Sequence, residues 1–285
     1  MITNSNLCLN RKVLPGLPVA EFIKLAHDLG IKHVELRNDL AGAPNNANIL
    51  DGMSISEFND LLTKYDVQVE DINSIGNTDS LVQKNSNLDD LDEMIAIAKG
   101  IGAKKILFCP VMDKNDPRSD NDKFSEGVKT IKLFSNRLQA EGMFGLFETL
   151  GFPESSIRTP FRAIDIIEAA NATNFKVVAD LFHWFMGGVS PEDLFTKLDV
   201  AKVGLIHMST VEVQLPKEEL SDQNRVLLRD PNQDAISAYA SINWFANSDF
   251  RGLFSFEPFS DELRKWDYKT AKNNLLTSIK LIENI

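Results

Sequence analysis

Residues 144–183 read FGLFETLGFPESSIRTPFRAIDIIEAANATNFKVVADLFH. The stretch begins with a short apolar run and passes through a polar loop. It continues into a segment whose apolar residues recur every three or four positions, and it ends in a second apolar run. Short apolar runs predict buried β-strands, and the spacing of three to four predicts an amphipathic helix. The stretch therefore predicts a βαβ unit with two parallel strands.

The same alternation continues along the rest of the chain. The predicted strands are Asn6–Leu9, His33–Leu36, Val67–Ile72, Lys105–Cys109, Phe144–Glu148, Lys176–Ala179, Val203–His207 and Leu253–Glu257. The predicted helices are Val19–Leu29, Ser54–Tyr65, Leu88–Ile101, Asp122–Glu141, Pro160–Asn171, Pro191–Leu198, Asp234–Asn247 and Tyr268–Glu283. This pattern favours an α/β fold of the (β/α)8 TIM barrel type over an open doubly wound sheet. With 285 residues and no evident linker, a single domain is expected over residues 1–285.

The predicted connections differ in length at the two ends of the barrel. Joins from helix to strand are short, whereas joins from strand to helix are long, as in residues 37–53, 73–86 and 208–233. In a TIM barrel all strand-to-helix loops lie on one face, which is the face that carries active sites. Because long loops usually carry function, the sequence predicts a functional site at the C-terminal ends of the strands.

The composition excludes several classes of protein and of partner. Apolar residues make up 43% and charged residues 25%, as in ordinary globular proteins, and the net charge is −11. This acidic balance argues against a nucleic-acid partner. A membrane-length apolar run and a recognisable secretion signal are both missing from the sequence, so a cytoplasmic protein without a membrane partner is expected. Cys8 and Cys109 are expected to be reduced thiols in the core.

Polar side chains end four consecutive predicted strands. The strand motifs are GLFETL, KVVADLFH, GLIHMS and LFSFEPF, and they end in Glu148, in Asp180 with His183, in His207 and in Glu257. In a closed barrel these groups point into one small volume. Three carboxylates that close together need a counter-charge, so a divalent cation is expected there. Three carboxylates with one imidazole suit Mn²⁺, Mg²⁺, Co²⁺ or Zn²⁺.

These motifs also carry a family resemblance. The segment ETLGFPE from Glu148, the segment DLFH from Asp180, the single His207 and the segment FEPF at residues 256–259 together resemble the xylose-isomerase-like barrel superfamily. The closest likeness is to its sugar isomerase and epimerase branch, which includes D-tagatose 3-epimerase, hydroxypyruvate isomerase and inosose-handling enzymes. The resemblance implies that Glu148, Asp180, His207 and Glu257 bind one metal ion. It also implies that Glu148 and Glu257 are the two catalytic proton-transfer carboxylates.

The resemblance extends to residues that would bind substrate. It implies that Glu154 and His183 hold substrate oxygens and that Arg225 does so from the long loop. Here Arg225 is followed by VLLRDPNQD instead of a glycine-rich turn. Trp184 either stacks on a sugar face or forms a wall of the pocket without touching substrate. Members of the family are often dimers or tetramers, so a homodimer or homotetramer is expected.

The resemblance and the chemistry together predict a metal-dependent isomerase or epimerase. Its substrate would be a keto sugar or a related polyhydroxy carbonyl compound that reacts through an enediolate. The same site serves a dehydratase, a lyase acting on an inosose or similar keto-polyol, if a β-hydroxyl leaves. An endonuclease acting on abasic DNA needs further histidines, and the chain has 4. A barrel that only binds ligand is a further alternative. Glu35 and Arg37 are either an ion pair at the barrel mouth or substrate contacts.

Overall fold

Eight parallel strands pair in chain order, and the last pairs with the first to close a barrel. The computed structural model describes residues 2–40, 42, 44–283 and 285. The strands are β1 Leu7–Asn10, β2 His33–Arg37, β3 Gln68–Ile75, β4 Lys105–Phe108, β5 Phe144–Glu148, β6 Phe175–Asp180, β7 Val203–Met208 and β8 Leu253–Phe256. The predicted TIM barrel is therefore confirmed.

Helices surround the barrel and follow the strands. They are α1 Val19–Asp28, α2 Ile55–Tyr65, α3 Lys84–Ile101, α4 Asp120–Ala140, α5 Pro160–Ala169, α6 Leu181–Gly187, α7 Pro191–Lys197, α8 Ala238–Asn247 and α9 Tyr268–Ile282. The short helix α6, which begins directly at the end of β6, was not predicted from the sequence. Within the described part of the chain, no helix is long and apolar enough to cross a membrane.

The inside of the barrel is apolar on one side and polar on the other. Leu107, Leu146, Val178 and Leu205 on β4 to β7 form a small apolar cluster separate from the main core between strands and helices. On β1 to β3 and β8 the buried residues include Asn10, Glu35, Asp71 and Ser255. Burying polar groups is costly unless they find partners, and Asn10, Glu35 and Ser255 are all hydrogen-bonded.

Candidate metal and substrate site

Four residues at or directly beside the C-terminal ends of β5 to β8 converge at the mouth of the barrel. One potential ligand atom from each of Glu148, Asp180, His207 and Glu257 lies within 4.8 Å of the others, and all four residues are buried. We call these residues the four-ligand cluster. His207 Nδ1 lies 2.7 Å from Glu148 Oε1, 3.0 Å from Glu257 Oε2 and 3.9 Å from Asp180 Oδ2. The structure thus brings together the four residues that were expected to bind a metal ion.

Asp180 connects the cluster to helix α6. Its side chain caps the helix, because Oδ1 accepts a hydrogen bond from the backbone N–H of His183 at 2.7 Å. The other oxygen, Oδ2, faces the cluster. The cap fixes the first turn of α6, so His183 is buried beside the mouth with Nδ1 accepting from the Gly151 N–H at 3.4 Å. A single aspartate therefore places both a cluster carboxylate and an imidazole.

The long loop between β7 and α8 carries Arg225 back to the barrel mouth. Thr210 and Val226 exchange backbone hydrogen bonds of 3.0 and 2.9 Å, which pins the loop close to its start. The Arg225 carbonyl accepts from the N–H groups of Phe259 and Ser260, both at 3.0 Å, and so joins the loop to the segment after β8. Because its backbone is held on both sides, the Arg225 side chain is directed inward and is only 1% exposed.

The Arg225 guanidinium lies directly on the cluster. Nη2 donates to Asp180 Oδ2 at 2.5 Å and to Glu257 Oε2 at 2.8 Å. Nη1 lies 3.4 Å from His183 Nε2 and 3.1 Å from Asp222 Oδ1. A buried arginine with several charge-assisted bonds is a strong fixed cation. Arg225 therefore supplies positive charge to the same carboxylate oxygens that face His207.

Arg37 and Asn10 hold the other side of Glu257. Arg37 Nη1 donates to Glu257 Oε1 at 2.5 Å, and Asn10 Nδ2 donates to the same oxygen at 3.2 Å. Arg37 also donates to both oxygens of Asp39, at 2.7 and 2.9 Å. The ion-pair alternative for Arg37 is thus observed, although its partners are Glu257 and Asp39. Asn10 was not predicted from the sequence, although it is a polar residue directly after the apolar residues of β1.

The two carboxylates predicted to transfer protons have unequal surroundings. Both oxygens of Glu257 accept hydrogen bonds, from Arg37 and Asn10 on one side and from Arg225 on the other. Among the described residues, Glu148 Oε2 accepts only from the Cys109 thiol, at 3.7 Å. Cys109 is half-buried at the mouth, whereas Cys8 is buried as predicted. Glu148 therefore has more room for a further hydrogen-bond partner than Glu257.

Burial and neighbouring charges shift the pKa values of the three carboxylates in different directions. Burial raises the pKa of Glu148. It also raises the pKa of Asp180, which reaches about 6 although Arg225 acts in the opposite direction. Burial acts the same way on Glu257, but His207 and Arg225 outweigh it and hold the pKa of that carboxyl well below its usual range. The cluster is thus electrostatically asymmetric.

The two histidines of the site also differ. Burial lowers the pKa of His183 to about 4, and the charge of Arg225 acts in the same direction, so this imidazole is neutral near pH 7. Burial acts downward on His207 too, but Glu257 and Glu35 outweigh it and keep its pKa well above the usual value. Because Nδ1 accepts from the Gly151 N–H, a neutral His183 carries its proton on Nε2 and can donate it to a ligand oxygen.

The donor set of the cluster fits a divalent cation. Three buried carboxylates and one imidazole nitrogen gather within 4.8 Å, and hard oxygen donors with one nitrogen suit Mn²⁺, Mg²⁺, Co²⁺ or Zn²⁺. Four protein ligands leave about two positions of an octahedron for substrate or water. His207, Arg225 and Arg37 offset part of the charge of the three carboxylates, and a bound ion would further relieve their mutual repulsion.

Two of the predicted substrate-binding residues are not brought to the cluster. Glu154 lies exposed on the loop after β5, where its carbonyl accepts from the Asp113 N–H at 3.0 Å. Trp184 is 1% exposed and packs toward Phe245 of α8, with ring centroids 6.3 Å apart. Trp184 therefore lies in the helical layer, where its ring is not exposed for stacking on a bound sugar.

Comparisons with known proteins agree with the observed fold. The family model of the xylose isomerase-like TIM barrel matches residues 23–285. An inosose isomerase from Bacillus licheniformis is 28% identical over 178 residues, which span 62% of this chain and 62% of that protein. This chain therefore matches less than two thirds of the length of that relative.

Solved structures extend the comparison over nearly the whole chain. A xylose isomerase domain containing protein from Salmonella typhimurium has a TM-score of 0.89 at 28% identity, and the match covers 99% of both chains. An IolI protein with a bound zinc atom has a TM-score of 0.86 at 20% identity over 98% of both chains, a likeness that shows the fold alone. The family match and the closed eight-stranded barrel lead to one conclusion: the chain belongs to the xylose isomerase-like TIM barrel family.

Proposed function

We propose that this protein is a metal-dependent isomerase or epimerase. Its substrate is a keto sugar or a related polyhydroxy carbonyl compound, and the reaction passes through an enediolate. The observation that carries the proposal is the four-ligand cluster, which gathers three carboxylates and an imidazole at the mouth of the barrel. The similarity to an inosose isomerase supports a cyclic keto-polyol as a first substrate to test.

Glu148, Asp180, His207 and Glu257 would hold the ion. When bound, the ion supplies Lewis-acid charge that favours the negative charge developing on adjacent carbonyl and hydroxyl oxygens. Glu148 is assigned the removal of the proton next to the carbonyl, because its Oε2 is the less occupied carboxylate oxygen. Glu257 is assigned the return of the proton to the opposite face, which would give epimerisation. Return of the proton to the neighbouring carbon would give isomerisation.

Arg225 and His183 are assigned to the substrate oxygens. Both are buried at the mouth, and their nitrogen atoms lie 3.4 Å apart. Hydrogen-bond donors that are already fixed in place stabilise developing negative charge without reorganisation. Glu154 remains a predicted substrate contact on the exposed loop after β5.

The proposed substrate is a small molecule and not a nucleic acid. Of the 4 histidines, His183 and His207 lie at the mouth. His27 lies 2.8 Å from the Tyr65 carbonyl, and His33 lies 2.6 Å from Glu70. His27 and His33 therefore have partners away from the mouth, and His183 and His207 alone do not supply the imidazoles that a multinuclear zinc centre needs. A cytoplasmic location and a homodimeric or homotetrameric assembly remain predictions.

The test begins with metal content. Purified protein is stripped with a chelator and titrated with Mn²⁺, Mg²⁺, Co²⁺ and Zn²⁺, and one ion per chain is expected. The loaded protein is then incubated with inososes and keto sugars, and products are identified by NMR. A new epimer or aldose–ketose isomer that requires the ion supports the proposal. An unsaturated product would assign a dehydratase instead, and turnover by stripped protein equal to that of loaded protein would refute metal dependence.

A further inference from the structure

A buried carboxylate lies behind His207, on the side of the ring away from the four-ligand cluster. Glu35 Oε2 is 2.9 Å from His207 Nε2, and both residues are fully buried. The opposite nitrogen, Nδ1, faces Glu148 and Glu257 at 2.7 and 3.0 Å. The two imidazole nitrogens thus have different partners. Nδ1 faces the four-ligand cluster, and Nε2 faces Glu35.

Each oxygen of the Glu35 carboxylate has its own hydrogen-bond partner. Its second oxygen, Oε1, accepts a hydrogen bond from the Ser255 hydroxyl. Ser255 lies on β8 directly opposite His207 of β7 in the sheet register. Because the hydroxyl and the imidazole sit on adjacent strands, the carboxylate from β2 bridges across the inside of the barrel. Its position is therefore fixed by the barrel and does not depend on a loop.

Asp71 lies next to Glu35 in the barrel register and is also fully buried. Neither oxygen of Asp71 meets an N–H or O–H donor within the described ranges. Burial and the neighbouring charge of Glu35 raise the pKa of Asp71 well above its usual range. Asp71 therefore leaves both oxygens of Glu35 to their partners His207 and Ser255.

We propose that Glu35 is a positioning residue that fixes the ring orientation and the tautomer of His207. A neutral imidazole carries its proton on one nitrogen only. When Nε2–H donates to Glu35, Nδ1 must present its lone pair to the cluster, which is the form that binds a metal ion. Carboxylates that accept the second N–H of a ligand histidine typically change metal affinity by about 10–100-fold when removed. The inference rests on the proposed metal site.

The test measures metal affinity and tautomer in the full-length protein. Glu35→Ala and the isosteric Glu35→Gln are compared with the wild type by competition of Co²⁺ between protein and a chelator of known affinity. We expect the dissociation constant to rise about 10–100-fold in Glu35→Ala. A smaller rise is expected in Glu35→Gln, because the amide oxygen can still accept from Nε2–H. Glu70→Gln is the matched control, since Glu70 is a neighbouring carboxylate that pairs with Lys105 and not with the cluster.

Long-range ¹H–¹⁵N spectra of the Zn²⁺-loaded protein report the tautomer directly, and only 4 histidines contribute signals. The wild type should show His207 protonated at Nε2, and Glu35→Ala should lose or broaden that signal. A proton on Nδ1 in the wild type would overturn the inference. The inference would also be overturned if Glu35→Gln and Glu35→Ala both bound Co²⁺ with the same dissociation constant as Glu70→Gln. A wild type that binds no divalent ion would instead overturn the proposed metal site, and the inference with it.

Discussion

Replacing Arg225 with glutamine distinguishes its ion pairs with Asp180 and Glu257 from its proposed contact with substrate. The guanidinium bonds to Asp180 at 2.5 Å and to Glu257 at 2.8 Å, and all three side chains are buried. Removing one partner of a buried ion pair costs about 3–5 kcal/mol, because the other charge is left without compensation. We therefore expect Arg225→Gln to lower the free energy of unfolding by about this amount in the presence of a chelator.

A bound divalent ion should reduce this loss. Arg225 contacts the same oxygens, Asp180 Oδ2 and Glu257 Oε2, that would hold the ion, so its charge repels the ion in the wild type. Without the guanidinium the ion should bind more tightly and stabilise the folded state more, since stabilisation grows with the ratio of ligand concentration to dissociation constant. The gap in unfolding free energy between wild type and variant should thus shrink when saturating Mn²⁺ is added.

The assay is urea unfolding followed by circular dichroism, with chelator and with Mn²⁺. Arg229→Gln is the control, because Arg229 pairs with Glu262 at 3.0 Å in a partly exposed site, where such pairs contribute about 0–1 kcal/mol. Loaded Arg225→Gln should still lose about 10²-fold in kcat/KM, equivalent to about 2.7 kcal/mol of transition-state stabilisation. Equal stability of wild type and Arg225→Gln in chelator, or equal stabilisation of both by Mn²⁺, would refute this reasoning.

Three further results are expected. Glu148→Gln and Glu257→Gln should each abolish turnover, and equilibrium dialysis should show weaker ion binding in both; full activity in either variant would contradict its assignment. Burial acts to raise the pKa of Glu70, but His33 and Lys105 outweigh it and lower the value from 4.5 to about 2. The ionised form of Glu70 therefore stabilises the fold above about pH 4.5, and that contribution is lost as the pH falls toward about 2. The difference in unfolding free energy between wild type and Glu70→Gln should narrow over this range. A difference that stays constant would contradict this role of Glu70. The protein should not nick a duplex that contains an abasic site, and metal-dependent nicking that persists through further purification would overturn the sugar-enzyme proposal.

The alternation of strands and helices could be predicted because each βα unit repeats the same two periodicities. The site at the strand ends could also be predicted, since parallel strands in a barrel end on one face. Helix α6 was missed because its seven residues, LFHWFMG, are almost uniformly apolar and show no helical periodicity. Its start is set by the Asp180 cap, a signal that is visible only once the end of β6 is known.

Trp184 directly follows His183, and the sequence alone left open whether its ring stacks on substrate or only forms a wall of the pocket. Successive residues of a helix point about 100° apart. His183 therefore faces the barrel mouth, whereas Trp184 faces α8. Arg37 and Glu35 could not be interpreted from the sequence because their partners, Glu257 and His207, lie 220 and 172 positions away. Only the closure of the barrel brings β2 near the ends of β7 and β8.

Exchange of the substrate proton with solvent tests the proposed chemistry most directly. Wild-type protein loaded with Mn²⁺ is incubated in D₂O with an inosose or keto sugar that it converts, and the carbon next to the carbonyl is followed by NMR. Deuterium should enter at that carbon in the wild type and should not enter with Glu148→Gln or with stripped protein. Conversion of substrate without deuterium at that carbon would contradict proton transfer through an enediolate and would point to hydride transfer.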